Sequence, residues 1–245
     1  MRNACIFRNT TSLIPGTQVG RYLLELGHKK IAYISPFHQY AWSRARLIAL
    51  QDIFIKAGLG DAVVPFISEL DFTTEAKDHS QVSRLQKYYT NWRKDIPQLF
   101  VPDFDDLMGY LAKWGTTWGE QRMQMAPVFK KLCRDKRITA WVFPSDFLGT
   151  VAQDYLRERR VSVPADISIV AFDNSARALN RRLTSYSFNT PAVARAMLEF
   201  VVNRESPRWR KRKPVIEIEG TIVERESSGR AKTYCAQQKK NADER

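Results

Sequence analysis

The sequence predicts an α/β fold in which a parallel sheet is flanked by helices, and three observations carry that prediction. Short, almost wholly apolar runs such as KKIAYIS and ISIVAF have the composition of strands buried on both faces. Longer segments between them place apolar residues at helical spacing. The two kinds alternate, and strand, helix, strand over residues 138–175 is the βαβ unit of a parallel sheet with a right-handed crossover.

Taken in order, residues 17–27 set Val19, Tyr22, Leu23 and Leu26 on one helical face, and Gly27 stands where a helix C-cap belongs. KKIAYIS follows as a buried strand. A loop with Pro36, His38 and Tyr40 leads into SRARLIALQDIFIKAGL, a helix whose Leu47, Leu50, Ile53 and Phe54 face inward and which Gly58 ends. VVPFIS, residues 63–68, is the next strand. The stretch from Asp71 to Arg137, with Trp92, Trp114 and Trp118, reads as two or three helices. ITAWVFPSD is a strand running into a polar turn, FLGTVAQDYLRERR a helix, and VSVPADISIVAFDNS a turn and a second strand. A helix opens at Pro191 with Val193, Met197, Phe200 and Val201 on one face. VIEIEGTIVERES reads as one long alternating strand, and residues 230–245 as a disordered tail.

The chain has 245 residues, 44% of them hydrophobic, enough to fill a real core. No apolar run reaches the roughly 18 residues a membrane span needs, and the first thirty residues lack the apolar core of a secretion signal. A cytoplasmic protein is the expectation. Cys5, Cys133 and Cys235 are odd in number and show no CxxC or Cys/His spacing, so a disulfide framework and a zinc site are both disfavoured. No metal and no cofactor is expected.

The formal net charge is +13, and residues 177–245 hold sixteen Lys/Arg against eight Asp/Glu. The densest block is Arg204, Arg208, Arg210, Lys211, Arg212 and Lys213, interrupted by Pro207 and closed by Pro214. A proline-bounded basic stretch of this kind reads as a solvated loop. A direct nucleic-acid contact is the competing reading, and it requires salt-dependent, sequence-indifferent binding.

Three segments resemble the LacI/GalR-type transcriptional regulators and their periplasmic sugar-binding relatives. They are GRYLLELGHKKIAYIS with SRARLIALQDIFIKAGL; SDFLGTVAQDYLRERRVSVPADISIVAFDNS; and LTSYSFN with IEGTIVERESS. The most specific part runs from Val163 to Asn174, where Val-Pro-x-Asp-Ile-Ser-Ile-Val-x-Phe-Asp-Asn matches the family's pattern except that Ala171 replaces its usual Gly. The resemblance covers most of residues 16–229 apart from about 71–137. It implies a periplasmic-binding-protein-like type I lobe with remnants of a second lobe, and a small sugar-like effector held at the carboxyl ends of the strands.

Residue by residue, Arg46 matches the family's ligand-clamping arginine, whose planar fork suits paired hydroxyls or a carboxylate. Arg44 is its near rival, and a surface arginine on an amphipathic helix the plain alternative. Asp173 matches the ligand-binding aspartate; with Asn174 it could equally cap the next turn. Ser145 and Asp146 occupy the family's Asn-Asp position, where Ser shortens the reach and Asp146 is as well suited to cap the following helix. Trp42, with Phe37, Tyr40 and Phe147, offers a ring to stack on a sugar face, though each is as readily ordinary packing. His28, in the Gly-His turn, reads as structural.

The expected organisation is a remnant and crossover helix of the first lobe (1–27), a ligand-binding lobe (28–175) with an enlarged helical segment (71–137), a crossover and returning helix (176–213), a final strand (214–229) and the tail (230–245). In the family a helix-turn-helix head and almost all of the first lobe precede the point matching residue 16, so the chain is expected to be N-terminally incomplete. The helices at 17–27 and 191–203 should then lack part of the sheet their apolar faces pack against. The implied partners are a carbohydrate effector, a second copy of the chain in a homodimer, and DNA through a head absent from this chain; no membrane is expected.

A solute-binding protein of a sugar transporter is the alternative within the same fold. Catalysis has little support. GxSxG, Walker and HExxH motifs are missing, and His28, His38 and His79 are scattered. Asp146 and Asp173 could in principle form a carboxylate pair for glycoside hydrolysis.

Overall fold

The computed structural model describes residues 6–9, 13–38, 40–67, 116–203 and 215–232, with only the backbone course given for 116–124. Its elements in chain order are β1 (Ile6–Asn9), α1 (Ile14–Glu25), β2 (Ile31–Ser35), α2 (Ala41–Lys56), β3 (Val63–Ile67), α3 (Thr116–Arg134), β4 (Ala140–Val142), α4 (Asp146–Glu158), β5 (Ser168–Phe172), α5 (Ala176–Asn180), β6 (Thr184–Ser187), α6 (Thr190–Val202), β7 (Val215–Ile218) and β8 (Thr221–Val223).

Six strands form the main sheet in the order β3-β2-β4-β5-β6-β8. All neighbours are parallel except β6 and β8, which run antiparallel with Ser185 opposite Val223. Every residue of β2, β4 and β5 is buried, as their unbroken apolar runs require, because helices cover both faces. One face is filled by Phe129, Trp141, Phe143, Leu148, Tyr155 and Ile169, the other by Val19, Leu23, Tyr33, Leu50, Phe54 and Phe172. Phe129 centres the first of these, stacked on Trp141 at 5.4 Å and edge-on to Tyr155 at 5.1 Å.

Of the stretch expected to hold several helices, residues 68–115 lie outside those described; Thr116–Arg134 is a single 19-residue helix that buries Phe129 and Leu132. The basic block 204–213 and most of the tail also lie outside the described residues.

The helix expected over 17–27 starts earlier, with Pro15 in its first turn, and does not lack a partner. Val19 and Leu23 are fully buried against α2, and a Cβ on Gly16 would fall 2.6 Å from the Arg46 carbonyl oxygen, so the two helices touch backbone to backbone. The helix over 191–203 is the opposite case. α6 has no buried residue and reaches β1 through an edge contact between Phe7 and Phe200, while among the described residues β1 pairs with β7 in a separate two-stranded sheet.

The expected long final strand is two strands in two sheets: β7 pairs with β1, and β8 with β6. The break falls at Gly220, where a Cβ would meet the Ser187 carbonyl oxygen at 2.1 Å and the Tyr186 ring at 2.7 Å. Alternation of apolar and polar residues is the same in both sheets, which is why the pattern conceals the crossing.

Candidate functional site

The carboxyl ends of β2, β4, β5 and β6 converge on Arg46. Trp42 and Arg46 are one helical turn apart, four residues along α2, and so share a face. The guanidinium lies over Phe172 at the end of β5 (4.3 Å), over Trp42 (4.7 Å) and over Phe188 just beyond β6 (5.2 Å). Its Nη1 donates to the Pro144 carbonyl at 2.5 Å, after β4. Arg46 is 8% exposed, and burial weakens its hold on the proton while the nearby Asp173 carboxylate strengthens it. A cation so enclosed by ring faces is fixed in place before any ligand arrives. Beneath it, the Tyr33 hydroxyl donates to the Ser43 carbonyl, and the Ser35 and Ser43 hydroxyls are bonded at 2.8 Å, anchoring the first turn of α2 to β2. Arg44 points elsewhere: it is exposed and donates to the His38 carbonyl.

Asp173 and Asn174 follow β5 with φ of +110 and +48, a left-handed path unusual for any residue but glycine. Hydrogen bonds from three sides hold it. The Asp173 N–H donates to the Tyr186 carbonyl, the Asn174 N–H to the Ser185 hydroxyl, and the Ser175 N–H to Asp146 Oδ2 at 2.6 Å. Asp146 Oδ2 also accepts from the Ser175 hydroxyl and Oδ1 from the Ser185 hydroxyl, and Arg225 donates to Asn174 Oδ1 at 2.6 Å.

Asp146 is 1% exposed and both its carboxylate oxygens serve this loop, so it supports Asp173 from below. Ser145, not Asp146, is the N-cap of α4; it is half-buried and makes no capping bond. Asn174 is likewise tied down, by Arg225. Trp42 is half-buried and stacks on Tyr40 at 5.8 Å, with Phe37 beside both; Phe147 lies under Arg177.

Asp173 itself faces solvent at the mouth. Its carboxyl is pushed up to about 7, first by desolvation and then by the charge of Asp146, with Arg46 and a backbone hydrogen bond from Asp146 opposing. Water on its open side screens these effects, and the upward direction is what matters chemically. The mouth therefore presents a fixed cation, a carboxylate reluctant to ionise, and aromatic walls. That set can hold a small polyhydroxylated molecule through paired hydroxyl hydrogen bonds and ring stacking.

Arg46, Asp173 and Trp42 are brought together, with Ser145 next in the chain to the Pro144 carbonyl that Arg46 bonds; Asp146 and Asn174 lie behind them. Ser175, Ser185 and Arg225 were not singled out in the sequence. Arg225 stands in VERESS, inside a segment that carried the resemblance, but nothing in its surroundings there points to Asn174. Among the described residues no group of three or more His, Cys, Asp or Glu is placed to hold a metal ion, and no helix is long and apolar enough to cross a membrane.

Residues 108–228 match the family model of a periplasmic binding protein-like domain. A LacI transcriptional regulator from a Rhodococcus species has the same fold at 19% identity, with 91% of this chain aligned to 64% of that one and a TM-score of 0.54. The transcriptional regulator CelR in complex with cellobiose aligns at 20% identity over 92% of this chain and 54% of its own, with a TM-score of 0.53. A periplasmic binding protein/LacI transcriptional regulator from Alkaliphilus metalliredigens, complexed with D-xylulofuranose, aligns at 16% identity over 92% and 66%, with a TM-score of 0.52. No curated protein matches in sequence. The chain thus spans between about half and two thirds of the length of these structures.

The molecule is an α/β domain of the periplasmic-binding-protein-like class. More particularly, residues 108–228 match the model of that domain family, and the fold over nearly the whole chain is the one found in solved LacI-type regulators.

Proposed function

We propose that this chain is the ligand-sensing part of a LacI/GalR-type transcriptional regulator and that a small sugar-like effector binds at the mouth formed by Arg46, Asp173, Trp42 and Ser145. The observation that carries this reading is the preorganised pair: a caged guanidinium and a strained, fully braced aspartate at the carboxyl ends of adjacent strands. Two proteins of the same fold hold cellobiose and D-xylulofuranose, which supports a carbohydrate over other small molecules. A second lobe supplies the other wall of the cleft, and closure on the ligand shifts the population between two states. In a homodimer that shift sets the spacing of two DNA-binding heads. The setting is cytoplasmic.

No turnover is expected. Glycoside hydrolysis needs two carboxyl groups flanking the substrate, and Asp146 has both oxygens committed to Ser175 and Ser185.

The test is a thermal-shift panel of pentoses, hexoses, cellobiose and D-xylulose. At least one sugar should raise the unfolding temperature saturably, and Asp173→Ala should remove that response while leaving the protein folded. An undiminished response in Asp173→Ala contradicts the site assignment.

A further inference from the structure

At the opposite end of the main sheet's strands, where β5 and β6 begin, a concavity of about 660 Å³ opens between the end of α4, the loop into β5 and the turn before β6. A second, of about 460 Å³, continues it along α4, and Asn180 and Arg181 line both. The length of β5 separates this end from the effector mouth by roughly 15 Å.

Five arginines line the groove, Arg157, Arg160, Arg177, Arg181 and Arg182, against two carboxylates, Asp154 and Glu226. One oxygen of the buried Asp154 accepts from both Arg157 and Arg181, so a single negative charge answers two cations. Glu226 pairs with Arg182, but both side chains are about two thirds exposed and such a pair is readily exchanged. Arg160 is exposed and has no side-chain partner among the described residues.

The backbone adds a second, independent observation. Arg160 and Arg182 each directly follow the C-cap of a helix, at φ of +56 and +49. That is the position at which glycine ordinarily closes a helix without strain. A helix C-terminus favours a nearby cation, which accounts for Arg157 in the last turn of α4. It does not account for two arginines taking the left-handed positions on either side of one concavity. Strain of this sort is retained where the side chain is used.

We propose that this groove binds a small multivalent anion through phosphoryl or carboxyl groups, at a site separate from the effector mouth. The planar arginine fork matches either group, and the volume falls in the usual range for small-molecule sites.

Tripolyphosphate and, separately, citrate titrated calorimetrically into the full chain at low salt test this. At least one binds saturably, and which one does so distinguishes phosphoryl from carboxyl recognition. The double variant Arg160→Gly with Arg182→Gly loses about tenfold or more in affinity, while its unfolding temperature stays at or above the parent's because glycine relaxes both turns. A second variant with Arg208, Arg210, Lys211 and Arg212 changed to Gln keeps the parent's affinity. The proposal is overturned if neither anion binds saturably, if the double glycine variant binds as the parent does, or if affinity falls as much in the glutamine variant.

Discussion

Helices α1 and α6 read alike in the sequence as amphipathic segments, and in the structure each opens with a proline, yet they stand in opposite situations. α1 buries Val19 and Leu23 completely, whereas α6 buries nothing and leaves Leu198, Val201 and Val202 between 66% and 76% exposed. Apolar periodicity states which face of a helix can be buried; the sheet opposite decides whether it is. The same contrast separates the six-stranded sheet, covered on both faces, from the pair β1 and β7.

The contrast can be broken by paired truncations. Phe129→Ala, in the middle of a fully buried aromatic cluster, should cost about 3–5 kcal/mol in denaturant unfolding. Leu198→Ala on α6 should cost about 0.5 kcal/mol or less. Equal costs would show that α6 is covered in solution and end the comparison.

Gly220 sits where the chain passes from one region to the other, and its surroundings sharpen the boundary. Gly220→Ala drives a methyl into the Ser187 carbonyl and the Tyr186 ring, and a loss of about 1–3 kcal/mol is expected. An unchanged midpoint would mean that the crossing repacks freely.

A smaller effect reads the bolt that fastens α1 to the sheet. His28 is 1% exposed; its Nε2–H donates to the Gly229 carbonyl and its Nδ1 accepts from the Thr139 hydroxyl at 2.8 Å. Burial holds its pKa below the ordinary 6.5. The unfolded chain therefore takes up a proton that the folded one refuses, and stability falls as pH drops through the unfolded value. Asp146 and Asp173, both raised, act in the opposite sense over the acid range. Comparing the parent with His28→Gln at about pH 7.5 and about pH 5.5 isolates the histidine. The parent should lose more stability on acidification than the variant, and equal losses would contradict this account.

The main sheet was legible because strands buried on both faces leave unbroken apolar runs, and the nearness of Arg46 to Asp173 because one lies in the first turns of the helix after β2 and the other directly follows β5. The division of labour around them was not. Asp146 is bonded to Ser175 and Ser185, 29 and 39 residues away, and Asn174 to Arg225, 51 residues away. Spacing within a segment carries no trace of such pairings. Asp146 therefore read as a ligand contact or a cap when it is the brace beneath the Asp173 loop. The split of the final strand was hidden for a different reason, since only close backbone approach at Gly220 reveals it.

The central claim is that Asp173 is kept in a costly state for the sake of a ligand. Its folded pKa, near 7, lies above the ordinary 3.8, so the ionised form weakens the fold progressively as pH rises from about 4 through about 7. Asp173→Asn should therefore be the more stable protein at about pH 8 and should no longer respond to the sugar that stabilises the parent. A variant that binds the sugar as the parent does, with no gain in stability, would contradict the claim directly.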